Sequence, residues 1–248
     1  QFLQHCEASA PTLREAVEVM QSTGSNDKVQ KYVTGFVMMQ MTAKAGIKKH
    51  GQVAVDALFD EFLQLHDLGV FQPLDPTKLS RAQKKGALRA INVIKEKRCG
   101  KIKGRTVADG SAQRHLYTKE ETSSPTVSTD ALMLSLMIDA AEERDVATAD
   151  VAGAYLHADM EDFTILRMEG ESVDIMCDVH EGYRKYVCYE NGKKALYLQL
   201  LKALYGCVKS ALLWYHLFSS TLQQDGFVLN SYDTCVANKD IDGSQCTV

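Results

Sequence analysis

The chemistry that this sequence most clearly suggests centres on one carboxylate, Asp150, and on the residues that follow it as far as Tyr155. Residues 144–149 are predicted to form a short strand, so the carboxylate is expected at a strand end. The three small residues Ala152 to Ala154 leave the backbone open to another molecule before the ring of Tyr155 closes the space. Such a place suits a metal ion and a ligand. The plainer alternative is a solvated turn or a cap.

A block of positive charge is the second candidate. Ten cations stand against two acidic residues between Lys84 and Arg114, a local charge of +8 in a chain whose net charge is −4, so the remainder carries −12. Five of these cations alternate along two predicted strands joined by a turn, the basic hairpin: Lys95, Lys97, Lys101, Lys103 and Arg105. Period-two spacing puts the last three on one face, which could hold the phosphates of a nucleotide or a nucleic-acid backbone. A solvated, charged hairpin is the alternative.

The third suggestive stretch runs from Lys202 to Tyr215, where a predicted strand passes into a helix through Gly206. A glycine at this junction would let a flat ligand lie against bare backbone. Taken alone, the stretch also fits an ordinary strand-to-helix turn with an aromatic core stripe.

Around these candidates the patterns predict a scaffold of helices and hairpins. Helices are expected over residues 11–21, 53–68, 125–143 and 209–225, a strand over 164–168, and hairpins about Asn191-Gly192 and about residues 240–243. The helix over 125–143 is apolar over a wide arc, which predicts burial against a sheet. Residues 1–50 are expected to be a loosely attached extension, and residues 51–248 to carry the folded remainder.

The composition limits the classes of protein to which this chain can belong. With 248 residues, 45% of them hydrophobic and 24% charged, the chain can bury the core of one large or two modest domains. The longest apolar stretch, residues 131–141, is too short to span a membrane, and a secretory leader pattern is missing, so an intracellular protein with no membrane partner is expected. Seven cysteines without a C-x-x-C pair argue against a disulfide framework and a structural zinc site. Both ends are expected to be cut.

The order of the three candidates resembles the reverse transcriptase of copia-type retrotransposons, from about Gly46 to Val248. Four segments match that family's motifs in order: Lys103 to Gly110, Ser124 to Ser128, Asp150 to Leu156, and Lys202 to Gly206. Residues 226–227 and 232–236 resemble the family's pattern just upstream of its second catalytic motif. The chain departs from the family at Asp109, where a lysine is usual, and at Ala211 and Leu212, where proline and arginine are common.

The resemblance implies an α+β fold: a truncated right-hand polymerase with fingers and a palm of antiparallel sheet packed on helices. It implies two magnesium ions (Mg2+) that activate a primer hydroxyl and steady a triphosphate. Its implied partners are an RNA template, a DNA primer, deoxynucleoside triphosphates and the rest of a retrotransposon polyprotein. By similarity, Asp150 is the catalytic residue, Asp150 and the Val151 carbonyl bind the metal, and Ala154, Tyr155 and Gly206 bind the nucleotide. The basic hairpin supplies the candidates for phosphate contacts: Lys103 and Arg105 for the triphosphate, and Lys95, Lys97 and Lys101 for the nucleic acid.

One expected feature of such a polymerase is missing from the sequence. The family's second catalytic motif contains an Asp-Asp pair, and no such pair occurs in these 248 residues. We therefore predict the front half of a polymerase domain that is inactive by itself. The alternative is a noncatalytic retroelement remnant that only binds nucleic acid. An unrelated magnesium phosphotransferase fits less well, because nothing in the sequence explains its substrate.

Overall fold

The computed structural model describes residues 40–97 and 99–248, and the helix predicted over residues 11–21 lies outside them. The described α-helices are α1 (Ala43–His50), α2 (Gln52–Asp67), α3 (Arg81–Gly86), α4 (Thr129–Ala141), α5 (Glu171–Val179) and α6 (Ser210–Gln224). The strands are β1 (Gln40–Thr42), β2 (Phe71–Pro73), β3 (Leu88–Glu96), β4 (Ile102–Ala108), β5 (Asp159–Glu169), β6 (Cys188–Glu190), β7 (Lys193–Lys202), β8 (Val228–Leu229), β9 (Ala237–Ile241) and β10 (Ser244–Thr247). Short 3-10 helices cover Gly110–Gln113, Ala154–His157 and Glu181–Tyr186. The mixture of helices and sheets confirms the predicted α+β class.

The described residues form two compact units, one made of residues 40–61 and 92–105 and the other of residues 62–91 and 106–248. In the first unit β1 pairs antiparallel with β3, with Gln40 opposite Lys95. The hairpin between β3 and β4 is closed by a bond from the Lys97 N–H to the Lys101 carbonyl, 2.9 Å long. A division of the chain at residue 50 stays a prediction.

The second unit holds a mixed sheet and a small antiparallel one. β7 pairs antiparallel with β5, β2 and β6, whereas β3 and β5 run parallel, with Leu88 opposite Leu166. The antiparallel sheet that the resemblance implies is therefore present in the pairs of β7 and wrong for the pair of β3 and β5. The small sheet has the order β10-β9-β8, and its strands are antiparallel.

Buried side chains of β5 and β7 form the centre of the second unit. Leu166, Met168, Tyr197 and Leu198 are all completely buried. Burying an aliphatic side chain of this size stabilises the fold by about 1.5–3 kcal/mol. These strands therefore give the segments at their ends a rigid base.

Several elements form where local sequence signals predicted them. The helix predicted over 53–68 is α2, and Gly69 follows it with φ +61, as a helix stop requires. The hairpin predicted about Asn191-Gly192 joins β6 to β7, and both turn residues have positive φ, 50° and 74°, as a type I′ turn requires. The closing hairpin lies between β9 and β10 as predicted.

Helix α4 forms where a helix was predicted, but the predicted burial is wrong. Leu134 is 59% exposed and Met137 is 67% exposed. A cavity of about 340 Å3 lies between α4 and the small sheet, lined in part by Leu134, Ile138 and Val236. Hydrophobic spacing shows which face of a helix favours burial, but not whether another element covers it.

The strand predicted over residues 144–149 does not form. These residues are in neither helix nor strand, and within residues 40–97 and 99–248 no strand pairs with them. A strand needs a hydrogen-bonded neighbour, which an alternating sequence cannot supply by itself. None of the helices in the described part of the chain has the length and hydrophobicity that a membrane crossing requires.

Candidate active site

Asp150 lies on an exposed connection, not at a strand end. Val151 beside it is also exposed, and the chain then turns at Gly153, whose φ is +63. The Leu156 N–H donates to the Gly153 carbonyl at 2.7 Å and begins the 3-10 helix Ala154–His157. The small residues predicted to leave open backbone therefore form a tight turn between an exposed carboxylate and Tyr155.

The ring of Tyr155 meets the third sequence candidate directly. Its centroid lies 4.6 Å from that of Tyr205, with 33° between the ring planes. Tyr155 also packs against a buried cluster of Ala158, Ala203 and Leu213. The structure thus brings together the segments around Asp150 and Gly206, which are 56 positions apart in the sequence.

Gly206 has a structural reason to be glycine. Its φ is +92, and a Cβ atom there would overlap the carbonyl oxygen of Ala108. A Cβ on Gly110 would in turn overlap the carbonyl oxygen of Gly206. The Ala108 N–H donates to the Tyr205 carbonyl at 2.7 Å. Two backbone segments therefore touch at this point, and the contact accounts for both glycines without a ligand.

Further hydrogen bonds stabilise the turn from Leu204 to Ser210, which we call the tyrosine–glycine turn. The Val208 N–H donates to the side-chain oxygen of Gln113, which is buried, at 3.2 Å. The Ser210 hydroxyl donates to the Leu204 carbonyl at 2.6 Å. Burial raises the pKa of the Cys207 thiol to about 11, so the thiol stays protonated. Sequence reasoning missed Gln113, since a lone glutamine gives no signal of burial.

Lys209, Asp162 and Tyr117 form a second set of contacts that sequence reasoning missed. The Lys209 ammonium lies 2.9 Å from an Asp162 carboxylate oxygen and 4.9 Å from the centre of the Tyr117 ring. The Tyr117 hydroxyl donates to the same Asp162 oxygen at 2.9 Å. The lysine bond lowers the pKa of Asp162, and the bond to Asp162 raises the pKa of Lys209. The pKa of Tyr117 is raised, first by burial and then by Asp162.

The basic hairpin has the predicted alternation. Lys95, Lys97, Lys101, Lys103 and Arg105 are all exposed, whereas Gly104 and Thr106 between and after them are buried. The five cations belong to the first unit, and Asp150, Val151, Ala154, Tyr155 and Gly206 belong to the second.

Asp109, at the position where the resembling family has lysine, is part of the local structure. Its carboxylate accepts from the hydroxyl and N–H of Ser111, at 2.6 and 3.3 Å, and caps the 3-10 helix that begins at Gly110. These bonds, first that of the Ser111 hydroxyl, lower the pKa of Asp109. Arg89 lies 3.3 Å from the other carboxylate oxygen.

The profile of the family described as reverse transcriptase (RNA-dependent DNA polymerase) matches residues 78–239, more than half of the chain. The chain belongs to this reverse transcriptase family.

A curated relative agrees with the family. The Retrovirus-related Pol polyprotein from transposon TNT 1-94 of Nicotiana tabacum is 27% identical to this reverse transcriptase chain over 136 residues, which are 55% of the chain and 9% of the polyprotein. The chain therefore matches a small part of that relative's length. No solved structure matches the chain. The predicted resemblance to a retrotransposon reverse transcriptase is confirmed.

The donors that the reverse transcriptase chain offers a magnesium ion are of the right chemical kind, but few. Asp150 and the Val151 carbonyl supply oxygen atoms, which Mg2+ prefers. Among residues 40–97 and 99–248, however, no three His, Cys, Asp or Glu side chains come together as a metal site. The described residues therefore do not complete a site for two ions.

Proposed function

We propose that this chain forms the front part of the RNA-directed DNA polymerase domain of a copia-type retrotransposon polyprotein. The contact between Tyr155 and Tyr205 carries the proposal, because it brings together two motif segments that are 50 positions apart in the sequence. Membership of the reverse transcriptase family supports it independently. In the right-hand arrangement that we infer, the chain contributes fingers and part of a palm.

The residues of the second unit take the roles closest to the chemistry. Asp150 and the Val151 carbonyl would hold magnesium, which would supply charge neutralisation at the triphosphate and activation of the primer hydroxyl. Ala154 and Tyr155 lie under the incoming sugar, where the ring leaves little room for a 2′-hydroxyl. Gly206 lies beside the nucleotide and template.

The cations of the first unit hold phosphates. Lys103 and Arg105 bind the triphosphate of the incoming deoxynucleotide, or backbone phosphates of the primer–template while no nucleotide is bound. Lys95, Lys97 and Lys101 bind the backbone of the RNA template or DNA primer. Their exposure on a two-stranded ribbon supports this role, because exposed cations can contact phosphates and release the counterions of a nucleic acid. The rest of the polyprotein is the remaining partner.

A noncatalytic remnant that only binds nucleic acid is the second candidate. The shortage of gathered carboxylates among the described residues favours it. Magnesium keeps its waters unless several oxygen ligands replace them together, so one carboxylate and one carbonyl do not hold two ions.

Primer extension on an RNA template separates the two candidates. The chain of 248 residues is tested alone, and also continued through a segment that contains an Asp-Asp pair. We expect no extension by the chain alone and magnesium-dependent extension by the continued protein, lost in Asp150→Asn. Asp145→Asn, another exposed aspartate of the same connection, is the matched control and should retain extension.

Three outcomes would contradict this account. Extension by the 248-residue chain itself would show that its metal ligands are sufficient. Extension by Asp150→Asn would remove that residue from the chemistry. Primer–template binding by a continued protein that extends nothing would support the remnant.

A further inference from the structure

We infer that Lys209, acting through Asp162 and Tyr117, is a positioning residue that fixes the tyrosine–glycine turn and thereby the ring of Tyr155. The three side chains form a latch, the Lys209 latch, beside the proposed nucleotide site. Its consequence for nucleotide selection rests on the proposed function, whereas its effect on ring geometry does not.

The latch connects three separate parts of the second unit. Tyr117 follows the 3-10 helix Gly110–Gln113, Asp162 lies in β5, and Lys209 stands immediately before α6. One Asp162 oxygen accepts from both partners at 2.9 Å, which fixes the two side chains relative to the strand. The Lys209 side chain is only 18% exposed, so water competes little for its ammonium group.

The position of Lys209 makes its partners necessary. A cation at the N-terminal end of a helix is disfavoured by the helix dipole, and Lys209 is the N-cap of the 15-residue α6. The Asp162 carboxylate offsets this repulsion, with Glu161 at 3.9 Å as a second, weaker partner. Without these carboxylates, the ammonium would favour solvent over its place against the Tyr117 ring.

Tyr205 transmits the position of the turn to Tyr155. The backbone of Tyr205 lies four residues before Lys209 in the same turn, and its ring lies 4.6 Å from that of Tyr155. The bond from the Ala108 N–H to the Tyr205 carbonyl holds one side of the turn, and the Lys209 latch holds the other side. A shift of Lys209 would therefore tilt or separate the two rings.

Fluorine NMR on the chain labelled with 3-fluorotyrosine tests the latch without a ligand. The chain has ten tyrosines, and Tyr155→Phe and Tyr205→Phe each remove one resonance and so assign it. We expect Lys209→Met and Asp162→Asn to shift both assigned resonances, because the ring current of each tyrosine changes the chemical shift of the other. Lys209→Arg restores an ion pair with Asp162 and should return them toward their original positions.

A matched lysine at the other end of α6 is the control. Lys239 lies 3.2 Å from the Asp225 carboxylate and 5.4 Å from the centre of the Phe227 ring, the same combination of partners. Lys239→Met should leave both resonances in place even where it lowers the melting temperature. Tyr117→Phe, which keeps the ring and loses one hydrogen bond, serves if the stronger variants fail to fold, and it should shift both resonances by a smaller amount.

Unchanged Tyr155 and Tyr205 resonances in all the latch variants that fold would overturn the inference, whatever happens to stability. Equal shifts in Lys239→Met would do the same. Primer–template binding by the unaltered chain is measured in parallel. Its absence would count against the proposed function and would leave the fluorine result intact.

Discussion

Neutralising one face of the basic hairpin should change how salt affects nucleic-acid binding. Lys101, Lys103 and Arg105 are exposed and alternate along the hairpin, so each is able to contact one phosphate of a bound nucleic acid. Each phosphate contact contributes about 0.7–0.9 to the slope of log affinity against log salt, because binding releases counterions. Replacing all three by Ala should flatten that slope by about 2–3.

This slope change sets a measurable difference in affinity. Between 50 and 200 mM salt, the unaltered chain should lose about 20- to 40-fold more affinity than the triple variant, from the same slope per contact. Fluorescence anisotropy of a labelled DNA primer on an RNA template, at several salt concentrations, measures both slopes. The variant should also bind more weakly at low salt, where phosphate attraction is strongest.

A second triple variant separates a specific surface from overall charge. Three exposed lysines of the second unit are replaced by Ala, with the same loss of charge: Lys119, Lys185 and Lys193. The control should keep nearly the full slope. Equal slopes in the two triple variants, or an unchanged slope in the hairpin variant, would refute the assignment of this face to phosphates.

Two further predictions concern Tyr155 and Asp233. In a protein continued through the second catalytic motif, Tyr155→Ala should raise ribonucleotide incorporation relative to deoxyribonucleotide incorporation. It should also lower the free energy of unfolding by about 2 kcal/mol, since the ring is half-buried. Tyr155→Phe should do neither, and a loss of stability without altered sugar preference would mark Tyr155 as a core residue only. The Ser128 and Cys235 N–H groups lower the pKa of Asp233, so its contribution to stability is present above its ordinary pKa and is lost as the pH falls through the lowered value. Melting temperatures measured against pH should fall more steeply in acid for the unaltered chain than for Asp233→Asn, and parallel curves would contradict this.

Elements with strong local signals could be predicted from the sequence. The Asn191-Gly192 turn needs only two residues that accept positive φ, and α2 needs only its apolar spacing and the stop at Gly69. The alternation of the basic hairpin was equally local, since exposure every second residue follows from strand geometry.

Features that depend on distant partners could not be predicted in this way. Residues 144–149 have no strand beside them in the described part of the chain, and no described element packs over Met137 of α4. The parallel pairing of β3 with β5 and the bond between Lys209 and Asp162 join residues far apart in the sequence. Motif order indicated that Tyr155 and Gly206 belong to one site, but the ring contact with Tyr205 required the fold.

The meeting of Gly110 and Gly206 has a consequence for how this chain tolerates mutation. Each glycine faces the other segment's backbone, so a side chain at either position must push the same two segments apart. Once the first replacement has opened that gap, the second meets less resistance, and the two penalties should not add. A lineage that has lost one of these glycines would therefore be under weaker selection to keep the other, and the pair would vary together rather than independently.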